Sequence, residues 1–346
     1  MHLQRYQAQK NSRSSCGVAW LHPLARFARA FFTYFCRHML QAYSTFIRQW
    51  QSGQSSFALH TSGSTGAPKS ILLLRQHLQW SAASTLGFLP SQLRGIFMCL
   101  PAHKVGGFMQ MVRAQVWDVP LHIQEPSTQP QILPEHADCN ASFTPMQFFY
   151  LLQHQAEQLN TLHSILLGGG PFNFAIPPHI TVPIYHTYGM TETYSHIAYR
   201  LLPESMFSPL SGILVELNEM SCLKIKGEIS QNEWLQTTDL AEIKGSKFRI
   251  LGRIDNIINT GGVKIIPEEL ETLILQENPH AVNQFYLAGL PDLVLGQKLV
   301  LVHKKGVNIL VNTSLHPHLS YIKEQITVPH IQLTSTLKVD RRGNGY

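Results

Sequence analysis

Residues 59–70 read LHTSGSTGAPKS, and the rest of the chain is organised around them. Thr61, Ser62, Ser64 and Thr65 contribute hydroxyls, Gly63 and Gly66 contribute flexibility, and Lys69 closes the segment, all directly after the apolar run 57–59. Glycines let a loop fold back with its amides inward, hydroxyls add donors, and a lysine supplies a point charge. The segment is therefore built to cradle a polyphosphate. A Walker loop needs glycine immediately before the lysine, and Pro68 stands there instead. A loop of Gly, Ser and Thr taken alone also reads as a solvated linker. The order of the motifs that follow decides between the two.

A chain of 346 residues holds two domains and buries a full core. With 44% hydrophobic and 14% charged residues, its composition is that of a soluble globular protein. The five cysteines (Cys16, Cys36, Cys99, Cys139, Cys222) are scattered and never in CxxC spacing, which argues against a disulfide framework or zinc site and fits a reducing cytoplasm. None of the 18 histidines falls in an HExxH pattern.

The net charge of +6 is unevenly distributed: no Asp or Glu precedes Asp118, and the remainder carries 15 basic and 21 acidic residues. A basic front suits nucleic acid, acidic lipid or a polyanionic small substrate. No zinc-finger spacing, helix-turn-helix pattern or basic-aromatic run supports nucleic acid. Residues 20–47 are apolar at helical spacing, but Arg26, Arg29 and Arg37 interrupt them, so no membrane span is expected. This acid-free start reads either as a transit-type segment or as a core-facing helix after a basic tail.

Downstream, 71–88 has helix-forming composition, and 95–100 is a strand candidate running into LPAHKVGG at 100–107. Helix is expected again over 108–116 and, after ASFTPMQ at 141–147, to residue 159. Strand 165–167 ends in Gly168, Gly169, Gly170 and Pro171, which is either an ordinary turn or a surface for a flat ring. YHTYGMTET at 185–193 places Gly189 at a tight turn beside the flat ring of Tyr188. Thr191 and Glu192 follow as hard oxygen donors suited to magnesium, or as a helix cap. TTDL at 237–240 holds Asp239, which reads as a ribose clamp or as an N-cap. Pro267, Glu268 and Glu269 mark a helix start. The spans 285–296 and 298–303 read as strands joined by a turn, and 319–325 reads as a helix.

In this order the motifs resemble those of the acyl-adenylate-forming superfamily, which includes acyl-CoA synthetases, adenylation domains and luciferases. The resemblance covers residues 59–341. It implies an α/β fold, with a large N-terminal adenylate-forming domain at 1–252, shortened at its front, and a small mobile α+β C-terminal domain at 253–346.

By the same resemblance, Thr61, Ser62, Gly63, Ser64, Thr65, Gly66 and Lys69 hold the ATP phosphates. Gly168, Gly169 and Gly170 flank the adenine together with Tyr188 and Gly189. Thr191 and Glu192 serve catalysis, with Glu192 on Mg2+, and Asp239 and Arg253 hold the ribose. Asp255 is the hinge, with Asn256 as second candidate, and Gly261 and Gly262 line the pantetheine path of coenzyme A. Lys338, in TSTLKVDRRG at 334–343, takes the place of the catalytic lysine, although Leu337 replaces the usual glycine before it.

LPAHKVGG, MVRA at 111–114 and the SHIA that follows YGMTET look most like bacterial o-succinylbenzoate-CoA ligases of menaquinone biosynthesis. Lys104, which stands where many members have histidine, would then meet the acid together with Gly107, Ser195 and His196. Lys104 reads equally as an exposed loop residue. The expected partners are a small carboxylic acid, ATP and coenzyme A. Another aryl- or acyl-CoA ligase, or a stand-alone adenylation enzyme serving a carrier protein, fits the same motifs.

Overall fold

The computed structural model describes residues 39–61, 69–172, 175–333 and 339–341. A first helix, α1, covers 39–51 and buries Met39, Phe46 and Trp50. Phe46 packs on Phe57 and Phe108 at centroid distances of 5.7 and 5.3 Å, so α1 is fastened to the strand and helix that follow. The part of the expected front helix that precedes residue 39 lies outside the described residues.

Strands β1 (Ser56–Thr61) and β2 (Lys69–Leu74) pair antiparallel, with Thr61 opposite Lys69, so the two ends of the glycine- and serine-rich segment meet. The expected helix over 71–88 is thereby corrected. Its first residues belong to β2, and α2 spans Arg75–Leu86. Leu73 is buried while Leu72 is 60% exposed, the two-residue alternation of a strand. Helix-forming composition yields here to pairing with β1.

A seven-stranded sheet follows, in the order β4-β3-β5-β6-β7-β8-β9. Its strands are β3 (Gly95–Met98), β4 (Leu121–Ile123), β5 (Cys139–Phe143), β6 (Ser164–Leu167), β7 (Ile184–Met190), β8 (Ser195–Leu201) and β9 (Ser208–Pro209). The connections carry α3 (Val105–Val116), α4 (Pro145–His154) and α5 (Ala156–Leu159). Strands β4, β3, β5, β6 and β7 are mutually parallel, and every residue of β3, β5 and β6 is buried, as a sheet covered on both faces requires.

Parallel strands bring their carboxyl ends to one edge. The chain leaves β3 toward β4 on one side and leaves β5 toward β6 on the other, so β3 and β5 form a topological switch point, where such sheets bind ligands. Residues 100–107, 168–170 and 188–192 all lie just past or at the ends of β3, β6 and β7 at this edge.

A four-stranded antiparallel sheet comprises β10 (Leu214–Leu217), β11 (Cys222–Lys226), β12 (Leu235–Lys244) and β13 (Lys247–Arg253). The Phe207–Phe248 bridge ties it to the end of the larger sheet, with the two rings stacked at 5.6 Å. The last sheet holds β14 (Ile258–Thr260), β15 (Val263–Ile265), β16 (Phe285–Asp292), β17 (Gly296–Lys304) and β18 (Ile322–Val328), with α6 (Pro267–Glu277) against it. The expected helix at 319–325 is a short 3-10 turn, Pro317–Tyr321, leading into β18, which pairs parallel with β17. Ile326 and Val328 alternate onto the cluster formed by Tyr286, Val300 and Val302, and the free edge of β17 accepts their backbone. No helix among the described residues is long and apolar enough to cross a membrane.

Candidate active site

The YGMTET motif turns back on itself at the end of β7. A Cβ on Gly189 would stand 2.0 Å from the Ser195 carbonyl oxygen, so no other residue fits beside β8. Pairing slips by one position there, between Tyr188 and Gly189. The amide of Met190 donates to Thr193 Oγ1 at 3.0 Å, and Tyr194 takes a left-handed conformation (φ 63°) to re-enter β8. The turn leaves Glu192 exposed and Thr191 half-buried. The cap-like bond is thus made by Thr193, and the Thr191 and Glu192 side chains do not act as the cap.

Tyr188 reaches across to the third motif: its hydroxyl donates to Asp239 Oδ2 at 2.6 Å. Burial, followed by the Asp239 charge, pushes the phenol well above its usual range, so it stays a donor. Asp239 lies within β12 opposite Arg253 on β13, which sets aside the N-cap reading. The Asp239 amide donates to Thr237 Oγ1 at 3.1 Å, and that hydroxyl donates to the Leu223 carbonyl at 2.7 Å. Arg253 Nη1 stands 3.8 Å from Asp239 Oδ1, while its Nη2 donates to Asp255 Oδ2 at 3.0 Å. Tyr188, Asp239, Arg253 and Asp255 therefore form one continuous polar chain.

Asp255 occupies a 3-10 turn, Ile254–Asn256, between β13 and β14. Its neighbour Asn256 hydrogen-bonds Glu268 of α6, and the other Glu268 oxygen sits so close to Gly252 that a Cβ there would lie 2.5 Å away. Gly261 and Gly262 turn between β14 and β15 with φ of 59° and 83°, the left-handed region that favours glycine. The Gly261 amide donates to the Leu295 carbonyl at 2.9 Å.

At the carboxyl end of β3, Lys104 is half-buried and immediately precedes α3. Gly107 packs against the preceding turn so tightly that a Cβ would lie 2.2 Å from the Pro101 carbonyl oxygen. Ser195 and His196 open β8 beside this helix. They meet Arg113, which sequence reading passed over inside MVRA: its Nη2 donates to Ser195 Oγ at 3.3 Å and contacts His196 Nδ1 at 3.4 Å. The opposite nitrogen, His196 Nε2, contacts Thr85 Oγ1 at 3.1 Å. Thr85 already donates its proton to the Ser81 carbonyl and Arg113 can only donate, so His196 carries its proton on Nε2. Burial, then the Arg113 charge, holds His196 neutral.

Arg113 is 3% exposed, its Nε has no partner, and no carboxylate pairs with it among the described residues. Burial alone lowers its pKa to about 10. The signal in the sequence was a lone arginine in the otherwise uncharged, apolar-rich stretch GFMQMVRA at 107–114, all of which the fold buries.

Lys338 and Ser62, Gly63, Ser64, Thr65 and Gly66 lie outside the described residues, and for Thr61 and Lys69 the backbone alone is described. On either side of Lys338, Leu333 bridges Val339. Arg341 makes two bonds of 2.7 and 2.6 Å to the half-buried carboxylate of Glu271 on α6.

The sequence profile of the AMP-binding enzyme family matches residues 36–232. A 2-succinylbenzoate-CoA ligase of Listeria innocua is 24% identical over 331 residues, covering 85% of this chain and 70% of that protein. The Escherichia coli enzyme of the same name is 28% identical, covering 73% of this chain and 59% of its own length. This chain thus spans about three fifths to 70% of these relatives.

Among solved structures, an acyl-CoA synthetase (AMP-forming)/AMP-acid ligase II-like protein from Dyadobacter fermentans is 34% identical, with 87% of this chain and 92% of that chain covered and a TM-score of 0.57. An o-succinylbenzoate CoA synthetase from Bacillus subtilis, solved with its acyl-adenylate, shares the fold at a TM-score of 0.68 and 19% identity, covering 84% of this chain and 68% of that one. A profile match over more than half the chain, the 34% identical relative and the fold agree: the chain belongs to the AMP-binding, acyl-adenylate-forming enzymes.

Proposed function

We propose that this protein is an ATP-dependent acid-CoA ligase whose substrate carries a second anionic group, with o-succinylbenzoate as the acid that fits best. The observation behind this reading is Arg113, a buried guanidinium without a carboxylate, flanked by Ser195 and neutral His196. A buried charge left unpaired is expensive, and a substrate carboxylate would offset that penalty. Phe88 and Tyr199, stacked at 3.9 Å next to His196, offer an aromatic wall for the ring of such an acid. Lys104 at the head of α3 adds a second cation.

In this reading the acid's reacting carboxylate attacks the α-phosphorus of ATP, pyrophosphate leaves, and the developing negative charge needs fixed cations and donors. Lys69 and Lys338 supply cations, and the hydroxyls of residues 61–65 supply donors. Asp239, held by Tyr188, and Arg253 take the ribose, and Gly168, Gly169 and Gly170 take the base. Glu192, exposed beside Thr191, would offer magnesium a hard carboxylate alongside the substrate phosphates, and the ion would neutralise charge on them.

The thiol of coenzyme A then attacks the acyl-adenylate and releases AMP, with Gly261 and Gly262 along its path. For this second step, residues 253–346 rotate on 1–252 at Asp255. Cytoplasmic residence accords with this chemistry.

The test is coenzyme A-dependent release of AMP and pyrophosphate from ATP with o-succinylbenzoate, beside benzoate, a medium-chain fatty acid and no acid. Selective turnover of o-succinylbenzoate, lost in Lys338→Ala, is expected. Equal turnover of an acid without a second carboxylate would overturn the substrate, and turnover without coenzyme A dependence would point to a carrier-protein acceptor.

A further inference from the structure

His186 precedes Thr187 and Tyr188 on β7 but is absorbed by none of the roles above. It is buried, and its Nε2 lies 2.9 Å from the carbonyl oxygen of Gly170, at the far end of the glycine rim. On the adjacent strand, Arg200 is its register partner, and both Nη2 (3.0 Å) and Nε (3.2 Å) of Arg200 point at His186 Nδ1. A guanidinium has no acceptor, so Nδ1 must be the unprotonated nitrogen. The proton therefore sits on Nε2 and is donated to Gly170. Burial, then the Arg200 charge, pushes the imidazole pKa down to about 3, so it stays neutral.

Arg200 itself is anchored by three carbonyls, those of Phe172, Glu204 and Ser205, at 3.3, 3.2 and 3.1 Å. Thr187 donates to the Leu167 carbonyl at 2.8 Å, just before the rim. The rim is thus gripped at both ends by consecutive residues of β7, and Gly169 between them takes φ of 82°. Glycines alone would leave residues 168–170 many conformations, so these bonds select one of them.

We infer that His186, oriented by Arg200, is a positioning residue that fixes the carbonyls of residues 168–170 and through them the choice of nucleotide base. The inference rests on the reading of that rim as the base-binding wall. A wall of fixed carbonyls accepts from the exocyclic amine of adenine and repels the oxo group of guanine, whereas a relaxed wall discriminates less.

The experiment compares wild type with His186→Leu, His186→Gln and Arg200→Met by calorimetric titration with ATP and with GTP, alongside thermal midpoints and KM for the acid. His186→Leu is expected to weaken ATP binding about fivefold to tenfold and to narrow the preference for ATP over GTP, with KM for the acid unchanged. His186→Gln keeps a donor and should recover most of both. Nitrogen-15 shifts should place the His186 proton on Nε2 in wild type, and Arg200→Met, which leaves Nδ1 without its donors and the ring without its anchor, should narrow the ATP preference in the same direction as His186→Leu.

The inference is overturned if His186→Leu lowers the thermal midpoint but leaves ATP affinity and selectivity at wild-type values. It is equally overturned if the wild-type proton sits on Nδ1, a result that stands even where His186→Leu does not fold. Failure of the wild type to bind ATP would instead remove the nucleotide reading itself, and this inference with it.

Discussion

The Tyr188 hydroxyl and the Asp239 carboxylate, 51 positions apart in the chain, are joined by a 2.6 Å hydrogen bond that links the end of the large sheet to the four-stranded sheet. The bond holds Asp239 facing Arg253, the orientation a ribose would need. Tyr188→Phe should leave the fold intact, raise KM for ATP about tenfold and change KM for the acid little, since a bond to a charged acceptor is worth roughly 1.5–3 kcal/mol. Steady-state kinetics with each substrate varied in turn checks this. An equal rise in both constants would mean that the bond shapes the whole site rather than the nucleotide half.

Gly189 and Gly107 are required by contact rather than by backbone angle. Gly189→Ala places its Cβ 2.0 Å from the backbone of β8, and Gly107→Ala places its Cβ 2.2 Å from that of Pro101. Neither neighbour is a flexible side chain, so each variant should lose about 2 kcal/mol or more in urea unfolding. Gly262→Ala meets no atom within 4 Å, so only its backbone strain of about 1 kcal/mol should register.

Arg113→Met should behave in two ways at once. It removes a buried unpaired charge, so stability should hold or rise, and it removes the proposed partner of a second carboxylate, so KM for o-succinylbenzoate should rise at least tenfold. Turnover of benzoate should be unaffected. Arg113→Lys should recover part of the affinity for o-succinylbenzoate. A parallel loss with both acids would place Arg113 in the fold rather than in substrate choice.

Five buried or half-buried histidines predict the acid response. Burial depresses the pKa of His77, His122, His136, His186 and His196, His136 to about 4 and His186 to about 3. The unfolded chain therefore binds more protons than the folded one between those values and the ordinary 6.5. Stability is complete above pH 6.5 and declines as pH falls through it, by up to about 1.4 kcal/mol per pH unit for each such histidine. Urea unfolding at pH 7.5, 6.5 and 5.5 should show this slope, and His136→Phe, which keeps the stack on Phe97, should reduce it. A flat profile would mean that these rings are protonated or solvated in the fold.

The Arg341–Glu271 pair ties the chain beyond Lys338 to α6 through paired bonds in a half-buried setting. Arg341→Met leaves the half-buried Glu271 carboxylate with the Leu287 amide as its donor, which should cost about 1–3 kcal/mol. Arg341→Met combined with Glu271→Leu should recover much of that loss, and the double-mutant cycle measures how much.

Local sequence determined the pieces of this protein whose physics is local. The proline and two acids at 267–269 do begin α6, and the apolar runs within 95–98 and 165–167 lie in buried strands, because caps and unbroken apolar runs are decided within a few residues; Gly189, expected at a tight turn, stands instead at a pairing slip within β7, just before the turn at 191–194. The order of the motifs was enough to indicate the family.

Tertiary structure decided the rest. Residues 71–74 and 322–328 became strands because β1 and β17 offered open edges, and no local propensity reports an open edge. Arg113, His186 and Arg200 acquire their parts only when antiparallel pairing of β7 with β8 and the packing of α3 beside β8 bring them together and burial strips water from them. The pairing of Tyr188 with Asp239 likewise belongs to the fold, since side chains 51 residues apart meet only once two sheets have packed.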